Sequence, residues 1–185
     1  MKFKSQSTQI HTNILRASRI HFIFGIILAG QIMLYDATKL QTPDVILQRW
    51  ILTAVFIIVV TTSWYLIRTN KLGVTGLRYA AFSLIIADIF IACFSVYTQR
   101  GMASRAVFLF IIPLLTAATL QTRAAIFGSL ALCITAYSTT AITYFVTHFN
   151  EGYKVELYGE VGFYSLLMTL VAMFIWNLSR SKMHR

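Results

Sequence analysis

Apolar residues run along this chain in long blocks, and short polar or basic stretches separate one block from the next. A spanning helix needs roughly 20 mostly apolar residues, within a range of about 17 to 25. Six blocks reach or approach that length, at residues 20–35, 50–67, 79–97, 106–121, 124–146 and 161–178. The pattern predicts an all-α polytopic membrane protein. A six-helix transmembrane bundle is expected over 20–178, after a basic segment at 1–19 and before a short basic tail at 179–185. The fourth block is the shortest and contains Pro113, and only Gln121, Thr122 and Arg123 part it from the fifth. It reads as a tilted or kinked span, or as one arm of a tight hairpin.

Within the first 19 residues, Ile10, Ile14 and Leu15 have helical spacing. Two readings stay open there: a helix lying on the inner membrane surface, and a solvated tail. Lys2, Lys4, Arg16 and Arg19 before the first block resemble the charged region of a signal peptide. No A-x-A-type site follows, and further apolar blocks do, so an uncleaved anchor is expected.

Composition agrees with the pattern. Of the 185 residues, 57% are hydrophobic and 12% charged, against about 25% charged in soluble domains. The net charge of +10 would suit nucleic acid if it were gathered on one face. The 16 Lys and Arg instead fall in clusters between blocks, which points to the lipid bilayer as partner and excludes nucleic acid.

Their distribution also predicts topology, because basic residues are retained on the cytoplasmic side. With the N-terminus inside, five cations (Lys39, Arg49, Arg100, Arg105 and Lys154) lie outside and the other eleven inside. Asp36, Asp44, Glu151, Glu156 and Glu160 all fall outside. The expected location is the cell (plasma) membrane, crossed several times, with both termini cytoplasmic. Gly25/Ala29 and Ala125/Ser129/Cys133, spaced by four, mark faces where helices approach closely.

Little in the sequence suggests enzyme chemistry. Cys93 and Cys133 form no CxxC and have no His at ligand spacing, so small packing residues are the expectation. His148 and Glu151 are a single pair three apart and imply no metal. His11, His21 and His184 need no special role, and no P-loop, HExxH or catalytic triad is present. No enzyme activity and no cofactor are expected.

The exception is Asp88, set in "ADIFIACF" near the centre of the third block. An ionisable group at this depth costs about 3 kcal/mol on insertion scales, which marks it as a functional candidate. The alternative is polar glue, a hydrogen bond between helices worth about 1 kcal/mol. Matching by depth, its partners are expected among the hydroxyls of the fifth block, Thr135, Tyr137, Ser138 and Thr139. Thr135, Thr139 and Thr143 form a stripe best hidden inside the bundle. After Asp88 comes a turn with Arg100, Gly101, Ser104 and Arg105, then the helix with Pro113. The turn's arginines either meet an anionic ligand or snorkel to headgroups.

This stretch, "ADIFIACFSVYTQRGMASRAVFLFIIPLLTAATL", resembles the six-helix N-terminal sensor regions of bacterial histidine kinases. There an Asp in a spanning helix precedes a Gly-containing outer turn and an apolar helix with a proline. The resemblance implies a membrane-embedded sensor and signal-transduction module of a two-component system, a homodimer, and a separate kinase or regulator as partner. Asp88, Arg100, Gly101, Ser104, Arg105, Pro113, Thr135, Ser138 and Thr139 are the candidate positions at which such a signal would be read. In the redox-responsive kinases of photosynthetic bacteria the turn reads Gly-Gly-x-x-Asn-Pro-Phe and is implicated in quinone sensing. Here Arg100 stands for the first Gly, Ser104 for Asn, Arg105 for Pro and Ala106 for Phe, so only Gly101 is kept. Neither a phospho-accepting His motif nor a phosphate-cradling loop occurs, so the chain reads as a sensor module without a kinase core. The rival reading is a small transporter or channel with Asp88 as its proton or cation site.

Overall fold

The computed structural model describes residues 2–69, 73–99, 101, 104–148 and 156–183; side chains are described from residue 9 and, in the last helix, over 158–179. The protein is all-α. Its helices are α1 Lys2–Ala37, α2 Pro43–Arg68, α3 Val74–Thr98, a 3-10 helix Arg105–Phe110 running into α4 Ile111–Ala118, α5 Arg123–Thr147 and α6 Glu156–Met183. Five are long and apolar enough to cross a membrane: Gln9–Ala37, Pro43–Arg68, Val74–Thr98, Arg123–Thr147 and Tyr158–Ser179. Large aliphatic side chains such as Ile26, Ile58, Leu166 and Leu170 are exposed. In water such a surface would be a liability, whereas hydrocarbon is its natural solvent. The chain is a multi-pass membrane protein.

The chain divides into two compact units, Met1–Ala87 and Asp88–Arg185, with the boundary inside α3. In the first, α1 and α2 form an antiparallel pair. Gly25 lets them approach, since a Cβ there would lie 3.3 Å from Ile57 Cγ1. At one end the Arg49 guanidinium sits 5.2 Å over the Tyr35 ring. Arg49, one of the five cations that the sequence places on the outer side, is buried. At the other end His11 Nε2 lies 2.8 Å from the Ile67 carbonyl, one of the last four of α2, which have no partner within the helix.

The N-terminal segment is neither a separate surface helix nor a tail. It continues α1 without a break, and Ile10, Ile14, Ala17 and Ser18 are buried. The helical spacing is therefore real, but the face it makes is core. His21 is buried too, with Nδ1 2.7 Å from the Ala17 carbonyl and its ring beside Phe56.

In the second unit the Tyr97 hydroxyl lies 3.3 Å from Thr147 Oγ1, so α3 and α5 finish at the same end. The opposite end is marked by the Arg123 guanidinium, 5.2 Å over the Trp176 ring. There α5 begins, capped by the Thr122 hydroxyl, which accepts from the Ala125 N–H at 3.3 Å. The chain between Thr98 and Arg123 therefore returns from one end to the other through the short fourth segment. That segment has 14 residues and is roughly 24 Å long, against about 30 Å of hydrocarbon.

Candidate functional site

Gly101 opens the return. Its φ is +61°, and a Cβ there would lie 2.7 Å from Tyr144 Cδ1. Left-handed backbone and the absent side chain are needed together, so only glycine fits. Tyr144 is held beneath it by an edge contact to Tyr97 (5.7 Å) and by stacking on His148 at 4.3 Å. His148 Nδ1 lies 3.0 Å from the Tyr144 carbonyl at the end of α5.

Ser104 then starts the 3-10 helix. Its hydroxyl accepts from the Ala106 N–H at 3.0 Å and donates to Gln99 Oε1 at 3.3 Å, and the residue is buried. This is an N-cap that also ties the new helix back to the end of α3. Ala106, Val107 and Phe110 are buried, as irregular backbone at membrane depth must be.

The change from 3-10 to α falls at Phe110 and Ile111. The Cys133 thiol, on the buried face of α5, donates to the Phe110 carbonyl at 3.8 Å. Pro113 is buried and third in α4. Its missing N–H falls among the first four, which lack partners within the helix. The expected kink is thus a junction between two helix types, with the proline inside the first turn of the second.

Below the junction is the carboxyl. Asp88 is 2% exposed and ten residues before the end of α3, about 15 Å along the axis. The Thr116 hydroxyl shares its proton between Asp88 Oδ2 (3.2 Å) and the Ile112 carbonyl (3.0 Å). The middle of α3 is thereby tied to the far end of the broken segment. Tyr137 is fully buried, its ring 5.9 Å from both Phe110 and Tyr164. Its hydroxyl and that of buried Ser129 have no hydrogen-bond partner among the described residues.

Asp88, Gly101, Ser104 and Pro113 thus belong to one continuous construction. Arg105 is its exposed first helical residue, and Arg100 lies outside the described residues. The hydroxyls expected beside Asp88 are elsewhere: Thr135, Thr139 and Thr143 are exposed and Ser138 is half-buried. The physical reason is that a helical threonine can satisfy itself on the carbonyl four residues back. Thr140 does so at 2.8 Å and Thr147 at 2.9 Å. The face of α5 that is buried carries Ser129, Cys133, Tyr137 and Tyr144, while Thr116, which sequence reasoning passed over, supplies the hydroxyl. Its signal was present, since it is the hydroxyl three residues after Pro113 in the shortest block.

Among the described residues no cluster of His, Cys, Asp or Glu is arranged to hold a metal. The last loop, with Glu151 and Lys154, lies outside them. No family model matches the chain, and neither a curated protein nor a solved structure matches it.

Proposed function

We propose that this protein is a membrane-embedded sensor module that passes a lipophilic or membrane-borne signal to a separate partner by small helix shifts. The observation that carries the reading is the tie from Asp88 to Thr116 across a segment that changes helix type. A packed element of this kind has two discrete arrangements, with the bond made or broken, and a ligand shifts them only by binding one more tightly. The exposed turn residue Arg105 and the Tyr97–Tyr144–His148 stack lie at the entrance to that element. The exit is α6. Its 28 residues are about 42 Å long, beyond the hydrocarbon thickness, so its end can present movement to a partner outside the bilayer. The resemblance to histidine-kinase input regions supports a kinase or regulator as that partner, and a homodimer as the assembly.

The common end of α3 and α5 supports six crossings, with the fourth made by the short segment. Six crossings put both chain ends on one face, and the excess of cations on that face favours the cytoplasm of a plasma membrane.

A transporter or channel is the second reading, favoured by a buried carboxyl beside a broken helix. Two measurements separate them. In lipid nanodiscs, Asp88→Asn should leave helix content unchanged but speed amide exchange over residues 105–118 by about fivefold, through loss of about 1 kcal/mol of coupling. An unchanged exchange pattern means that the tie restrains nothing and removes the sensor reading. Proton or cation flux through the purified protein in liposomes, abolished by the same substitution, would establish transport instead.

A further inference from the structure

We propose that the groove between α2 and the first half of α3 is a binding site for an anionic phospholipid, which lays one acyl chain along it. The groove has a volume of about 510 Å³. Its walls are Ile58, Leu66 and Tyr79, all exposed, and its floor includes Ser63 and Ala80, which are buried. Small side chains on both helices leave the space that larger ones would fill.

Three features select the occupant. First, the groove lies on a spanning surface, where an empty apolar channel forfeits contacts on every wall. Second, it is elongated. Its lining runs from Ile58 to Leu66 on α2 and from Gly76 to Ser83 on α3, about 12 Å along the helix axis, which suits an extended hydrocarbon chain.

Third, positive charge lies at its edge. Arg78 is exposed and adjoins Tyr79 of the groove wall, and no acid lies between Asp44 and Asp88. Basic residues at this level attract anionic headgroups. The Ser63 and Ser83 hydroxyls, 3.2 Å apart, form a polar ledge about 7 Å below the end of α2. That is the depth of the glycerol backbone when the headgroup is level with the turn. The proposal stands independently of the sensor reading.

The test uses the full chain in nanodiscs containing a trace of phosphatidylglycerol or phosphatidylcholine, each with a photoreactive group on the same acyl position. Cross-links are mapped by mass spectrometry. The phosphatidylglycerol probe should label residues 58–66 and 76–83 at least severalfold more than the phosphatidylcholine probe. Arg78→Gln should reduce that preference by about fivefold. Ser83→Leu, at an exposed position, should suppress groove labelling by both probes while labelling on α1 and α6 is unchanged. Equal labelling by the two probes, a preference indifferent to Arg78→Gln, or cross-links joining two copies of the chain at these residues would each overturn the proposal.

Discussion

Gly101 is the residue on which the return of the chain turns. Alanine there meets two obstacles, a backbone region that disfavours a Cβ by about 1 kcal/mol or more and the ring of Tyr144 at 2.7 Å. Gly101→Ala should therefore lower stability by about 2 kcal/mol, read as a fall in the midpoint of detergent or thermal unfolding. In a Tyr144→Ala background the ring is gone and the backbone strain remains, so the same change should cost only about 1 kcal/mol. An equal cost in both backgrounds would mean that the close approach is not there. Thr116→Val keeps the shape and removes the hydroxyl, and should cost about 1 kcal/mol. Combined with Asp88→Asn its effect should be less than additive, because the two side chains share one bond; strict additivity would separate them. Asp88 was legible as a residue, since a carboxyl in an apolar block stands out. Its partner was not. Depth matching selects a level in the membrane but not a face, and the neighbouring helix offered four hydroxyls at a suitable level against one on the broken segment.

At the scale of elements, five of the helices could be read from block length alone, because a hydrocarbon slab demands both length and apolarity. The fourth could be read as unusual but not as a 3-10 to α junction. That form depends on what the Phe110 carbonyl and the Pro113 ring meet, and those contacts come from α5. The N-terminal segment is hard to place from sequence for a similar reason. Ile10, Ile14 and Ala17 announce a buried face, yet nothing in the local sequence says that α2 extends far enough to cover it. The contact from His11 to the Ile67 carbonyl is the visible consequence. His11→Ala should loosen the last turn of α2 by about 1 kcal/mol, seen as about fivefold faster amide exchange at residues 64–68 with the rest of α2 unaffected. Exchange unchanged at those amides would show that α1 does not cap α2. The exposed Thr135–Thr139–Thr143 stripe gives the opposite lesson: helical spacing of hydroxyls does not by itself define an inward face, because each can bond within its own helix.

For the molecule as a whole, the proposed topology requires that the short segment, held at its ends by Gly101 over Tyr144 and by Thr116 on Asp88, cross the bilayer. The sequence conveyed the number of blocks and the uneven placement of cations, and these fix topology only if the shortest block traverses the bilayer. Five crossings would separate the chain ends, and six bring them to one face. The most direct measurement is therefore the side of the membrane on which each end is labelled. In a chain with Cys93 and Cys133 replaced by alanine, single cysteines at Ser5, Thr38 and Ser181 are exposed in sealed, oriented vesicles to a thiol reagent that cannot cross the bilayer. With six crossings, Ser5→Cys and Ser181→Cys should react from the same face and Thr38→Cys from the other. Labelling of the two terminal positions from opposite faces would contradict six crossings.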